Sequence, residues 1–187
     1  MLAHWTSELG YKLGLIDMGG PCNKGSFADL ENFCSYSQFY IASDLPNGGF
    51  MLDDWTVDKI DSTNPDIQYH RLFSDSSNLR EVLIGRIDLV QRLYGYARQN
   101  MVDSKISQAN YLYSCKEFSD FSVAFRTFLK TTNAGYSLSD DLYMFMTHHD
   151  APQELMQAFK SVIVHQADNR DFFDWEEEAN GMLMPQD

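Results

Sequence analysis

The sequence has no long apolar run. Its most apolar stretches, such as EVLIGRIDLV, are short and broken by charge. None approaches the ~20 residues with which a helix spans a bilayer. Cysteine is sparse: Cys22, Cys34 and Cys115 are odd in number, far apart and in no CxxC arrangement. That pattern argues against a disulfide framework and against finger-type zinc, and for reduced thiols in a cytoplasmic protein. No basic region leads into a clean apolar stretch near Met1, so no secretory signal is expected. Basic residues are also few. Lys and Arg total 14 against 27 Asp and Glu, a formal net charge of −13. This is the wrong sign for direct binding to nucleic acid or to an anionic membrane. MGGP and PNGGF hold glycine pairs but neither GxGxxG nor a P-loop, so no phosphate cradle and no cofactor is expected.

What is present suffices for a core. Hydrophobic residues make up 44% and aromatics 14%, enough for one compact domain over 1–187. A mixed α/β lobe at 1–76 and a helical lobe at 77–187 is the alternative division. Leu2, Trp5, Leu9, Leu13 and Ile16 recur at helical spacing and predict a helix over 2–16. MGGPCNKGS then breaks it, and SFADLENFCSY predicts a short helix capped by Ser26 with Asp29 three residues on. SQFYIAS and GFMLDDW flank the turn formers DLPNGG and read as a β-hairpin, with PDIQYHRLF as a third short strand.

From residue 78 the pattern is helical. Leu83, Ile87, Val90, Tyr94, Ala97 and Met101 form one stripe, and Phe118, Phe121, Phe125, Phe128 and Leu129 another. SLSDDLYMFMTHH predicts a further helix. Asp150 as N-cap, Pro152 and Gln153 open a last one, QELMQAFKSVIVHQ, with the stripe Leu155, Phe159, Val162 and Ile163. The fold class expected is mainly α (α+β): a helical bundle of about six helices, with a small antiparallel hairpin or three-stranded sheet in the N-terminal third.

Several residue groups invite chemistry. His148, His149 and Asp150 have the character of a divalent-metal site, which His70, His165 and Asp168 could complete, the last two sharing one helix face. A helix end explains the same residues: two His favoured by the dipole, then a capping Asp. Cys34 or Cys115 could serve as a nucleophile beside a histidine, although a free cysteine is commonly a small buried residue. The Phe stripe reads as core before it reads as a ligand pocket. No catalytic residue is therefore assigned. PNGGF (46–50), after QFYIAS, resembles the NGGF segment of ArdB-type antirestriction proteins and of proposed DNA-mimic proteins; Asn-Gly-Gly is also an ordinary turn sequence.

The acids crowd the two outer thirds, and DNRDFFDWEEEANG mixes them with aromatics. On a helix, Phe172, Trp175 and Ala179 share one side, while Asp171, Asp174, Glu177 and Glu178 lie mostly opposite and Phe173 sits with Glu176. Trp175 then packs inward. Asp171, Phe173, Asp174, Glu176, Glu177 and Glu178, with Asp53 and Asp54, face a basic surface of a partner protein. The function expected is a non-enzymatic acidic inhibitor that occupies a nucleic-acid-binding surface, of the anti-restriction, anti-CRISPR or nuclease-immunity type. Alternatives are a metal-dependent hydrolase using His148, His149 and Asp150, and a structural subunit of a homo-oligomer. Acidity that serves only solubility is the plainest account of the charge.

Overall fold

Gly10 decides how the chain begins. Helix α1 (Leu2–Leu9) stops there because Gly10 takes a left-handed φ of 71° and its N–H closes on the Thr6 carbonyl, a conformation free of Cβ clash only for glycine. Strand β1 (Leu13–Asp17) follows. The expected helix over 2–16 is thereby corrected: Leu13, Leu15 and Ile16 belong to a short apolar strand, and so short a run carries no decisive period. The computed structural model describes residues 1–18, 24–42, 78–88, 109–133, 135–136 and 142–168.

Helix α2 (Phe27–Cys34) is capped as expected, with Ser26 Oγ accepting the Asp29 N–H at 3.2 Å. Strand β2 (Ser37–Ala42) forms where SQFYIAS predicts one. Helix α3 occupies residues 79–88. Then come β3 (Ala109–Ser114), α4 (Cys115–Thr132), α5 (Leu142–His148), α6 (Gln153–Val162) and β4 (Ile163–Asp168).

The sheet order is β1-β2-β3-β4, with β1 parallel to β2 and the other two pairings antiparallel. Helix α2 is the crossover that parallel strands require. Alternation along the strands sends Tyr40, Ala42, Tyr111 and Tyr113 to one face, where they meet Leu30, Phe121, Phe125, Met146 and Phe159 of α2, α4, α5 and α6. Ile41 and Leu112 point the other way and meet Leu83 and Ile87 of α3. Helices thus cover both faces, the layering that a period-two strand pattern with two apolar faces demands.

This corrects the expected fold class. The described residues hold six helices, but they flank a mixed four-stranded sheet instead of forming a bundle. Nor is the sheet confined to the N-terminal third, since β3 and β4 come from residues 109–114 and 163–168. β2 has β1 on one edge and β3 on the other, so neither edge is left for GFMLDDW. That segment, with PDIQYHRLF and residues 89–108, lies outside the described residues. The predicted last helix ends at Val162, and Ile163 and Val164 continue as β4; this β-branched run suits a pleated, half-buried strand better than a helix.

Candidate active site

Open α/β sheets bind ligands outside the carboxyl ends of their strands. Here those of β1 and β2 lie side by side, with Asp17 in register with Ile41. Asp17 pairs with Arg86 of α3 at 2.5 Å, and the Met18 N–H donates to the Ile41 carbonyl at 2.7 Å, so the chain leaves β1 still held against β2. The connector to α2 is also held where it returns: Tyr40 Oη donates to the Lys24 carbonyl at 2.7 Å. Tyr40 is fully buried. Burial foremost, then the charges of Asp29 and Asp17, raises its phenol well above the ordinary value, so Tyr40 remains a neutral donor. Its ring is fixed by Phe33, stacked at 5.2 Å, and by Tyr113 at 6.2 Å. Both flanks of the connector are therefore tied to the sheet. Residues 19–23, which include Cys22, lie outside the described residues.

The other two cysteines are joined. Cys34, the last residue of α2, and Cys115, the first of α4, form a disulfide with Cα atoms 4.7 Å apart. The expectation of reduced thiols is corrected, and in this form neither cysteine is a nucleophile. The β2–β3 register brings them together by pairing Phe39 with Ser114. No local pattern announces a pairing across 81 residues.

The proposed metal ligands do not gather. His148, His149 and Asp150 are exposed at the end of α5, and the His149 ring packs on Phe145 at 4.5 Å. Asp150 has a φ of 51°, and the N-cap of α6 is Pro152. Asp150 thus closes α5 in a left-handed turn and does not cap α6. His165 and Asp168 lie on β4, not on a helix face, and His165 Nε2 sits 2.7 Å from Asp88 Oδ1. His70 lies outside the described residues. Among the described residues no three His, Cys, Asp or Glu side chains come together to hold a metal. The Phe stripe is core: Phe118, Phe121, Phe125 and Phe128 are all buried. Asp53, Asp54, Asp171, Phe173, Asp174, Trp175, Glu176, Glu177 and Glu178 fall outside the described residues. No helix among the described residues is long and apolar enough to cross a membrane.

No family model matches the sequence, and no curated protein does. Solved structures share the fold. A clostripain from Bacteroides thetaiotaomicron, in complex with the peptide inhibitor BTN-VLTK-AOMK, matches with a TM-score of 0.55 at 12% identity, over 90% of this chain and 74% of its own. A B. fragilis cysteine protease matches with a TM-score of 0.54 at 14% identity, over 89% of this chain and 72% of its own. An inactive zymogen C11 protease from Parabacteroides distasonis gives 0.52 at 12%, over 90% of this chain and 48% of its own. The fold of this chain is thus one that cysteine proteases use.

That likeness overturns the functional expectation. The picture of a non-enzymatic acidic inhibitor, nucleic-acid mimic or immunity protein rested on charge, on the aromatics set among the acids of 168–181 and on the PNGGF resemblance. It is corrected here, together with the metal-dependent hydrolase and the plain structural subunit. Net charge describes what a surface attracts and leaves the fold open. Cys22, in a Gly-Gly-Pro connector between a short apolar strand and a capped helix, is the cysteine outside the Cys34–Cys115 pair.

Proposed function

We propose that this chain is a cysteine peptidase domain with Cys22 as its nucleophile. One observation carries the reading. In a fold shared with solved cysteine proteases, the cysteine left outside the Cys34–Cys115 pair falls in the connector whose flanks are tied to the carboxyl edge of β1 and β2. The Cys22 thiolate attacks a peptide carbonyl, the C–N bond breaks as the amine departs with a proton from water, and the hydroxide so formed hydrolyses the thioester to return the acid and the thiolate.

The substrate class follows from charge. A chain of net −13 draws peptides and protein segments rich in Lys and Arg, in keeping with a neighbour that takes an inhibitor whose VLTK segment ends in lysine. The basic partner expected from the sequence thus becomes a basic substrate. A cytoplasmic setting would make the Cys34–Cys115 disulfide a transient or redox-sensing one.

The test is digestion of an unfolded Lys-rich protein and an unfolded acidic one, with products read by mass spectrometry. Cleavage of the Lys-rich protein is expected, falling as salt rises and lost in Cys22→Ala with the circular dichroism spectrum intact. Activity that survives Cys22→Ala refutes the nucleophile. If the parent cleaves neither substrate and Cys22 alkylates no faster than cysteine in an unstructured peptide, the whole reading fails.

A further inference from the structure

The Cys34–Cys115 disulfide borders a cavity of about 370 Å³, also lined by Lys12, Glu31, Ser119 and Arg126. Cavities of ~300–1,000 Å³ hold small molecules. Both cysteines are nearly buried, at 4% and 2% exposure, so a reagent reaches the sulfurs from the cavity side. Glu31 is the acid of this lining, and Arg126 neutralises it, with Nε–Oε1 at 2.6 Å and Nη2–Oε1 at 2.5 Å. Lys12 donates to a neutral acceptor, the Cys34 carbonyl, at 2.9 Å. Among the described residues this cavity therefore carries one positive charge without a carboxylate partner, Lys12, held on the negative end of α2 beside Cys34.

The two sulfurs are not equivalent. Cys34 closes α2 at the negative end of its dipole, whereas Cys115 opens the 18-residue α4 at the positive end. Ser37 Oγ lies 3.5 Å from Cys115 Sγ; its hydroxyl donates to the Phe33 carbonyl at 3.2 Å and would have to turn to meet a thiolate. Cys115 is thus the better leaving group, and Cys34 the sulfur to be attacked.

We propose that this cavity is a thiol-exchange site for small thiols that carry carboxylates, thiol peptides of the glutathione class. A carboxylate pairs with Lys12, and the thiolate bonds to Cys34 Sγ as the S–S bond breaks and Cys115 leaves as thiolate. A second small thiol attacks the outer sulfur of the mixed disulfide and releases Cys34. Two small thiols become one small disulfide, and their two protons end on Cys34 and Cys115. The site stands independently of any role for Cys22.

The experiment uses the full chain carrying Cys22→Ala, so that alkylation and mass spectrometry count only this pair. Reduction by glutathione and by uncharged 2-mercaptoethanol is timed with and without Lys12→Gln. Glutathione should act about three- to fivefold more slowly on Lys12→Gln, the effect of one screened ion pair, while 2-mercaptoethanol acts equally on both. With oxidised glutathione, Cys115→Ser should gain one glutathione on Cys34, and Cys34→Ser should gain little on Cys115. The proposal is overturned if Lys12→Gln slows both thiols alike or neither, or if adducts favour Cys115. It is equally overturned if reduction runs only at the rate of global unfolding, or only with a thioredoxin-type protein dithiol.

Discussion

Tyr40→Phe removes one oxygen from the centre of the protein and tests whether the Cys22 connector is held from within the core. The ring keeps its neighbours Phe33 and Tyr113 at 5.2 and 6.2 Å. The loss is therefore confined to the 2.7 Å bond to the Lys24 carbonyl. A neutral hydrogen bond contributes ~0.5–1.5 kcal/mol net, and water reaches a partly buried carbonyl, so about 1 kcal/mol should be lost in urea unfolding at unchanged slope. The pH dependence has a definite sign. The folded phenol is raised above 10.0, so above that pH the unfolded chain gives up this proton while the native one keeps it. The parent then loses ~1.4 kcal/mol of stability per pH unit from this group as pH climbs above ~10, and the Phe variant lacks that component. Below that pH, alkylation of Cys22 by a neutral reagent should change in rate. An unchanged alkylation rate, or a loss above ~2 kcal/mol that implicates the ring itself, refutes the reasoning.

Phe125→Ala should cost ~3–5 kcal/mol in thermal unfolding, because the buried ring meets Phe27, Phe121, Tyr136, Phe145 and Phe128 at 4.8, 5.5, 5.6, 6.0 and 6.3 Å. A loss under ~2 kcal/mol means that the cluster closes over the gap. Gly10→Ala should cost ~1 kcal/mol, since a φ of 71° strains any residue with a Cβ; a neutral result would show that α1 ends differently in solution. Replacing Cys34 and Cys115 together by Ala should cost roughly 4.5 kcal/mol on the chain-entropy relation for partners 81 apart. If neither this variant nor added reductant lowers the melting temperature, the disulfide is not formed in solution.

Local rules were legible in the sequence, and long-range pairing was not. Ser26 with Asp29 names a cap because both groups lie within one turn. The spacing of Phe118, Phe121, Phe125 and Phe128 names a buried helix face because the period is sustained. LGLID, ANYLYS and IVHQAD are strands of five or six residues, too short to show a period, and each becomes a strand by its neighbours in the sheet. ANYLYS even buries Asn110 and three aromatic or aliphatic residues in sequence, Tyr111, Leu112 and Tyr113. The charge-based site lay on residues 53–54 and 171–178, which have no bearing on how the sheet is built. Had LGLID, FADLENFC and SQFYIA been taken together as strand, crossover and parallel strand, Cys22 would have marked the connector that such units use for ligands.

The mixed pairing of the sheet also sets an order of assembly. β1, α2 and β2 close within residues 13–42. β2 must wait for β3 across Ala42 and Tyr111, and β3 for β4 across Ala109 and Asp168. Closing a longer loop costs more chain entropy before any contact offsets it. The crossover unit is thus the natural nucleus. Truncating Leu30 in α2 should slow refolding, whereas truncating Val164 in β4 should leave refolding nearly unchanged and speed unfolding. The segment that carries the proposed chemistry is then bounded by the part of the chain that settles first.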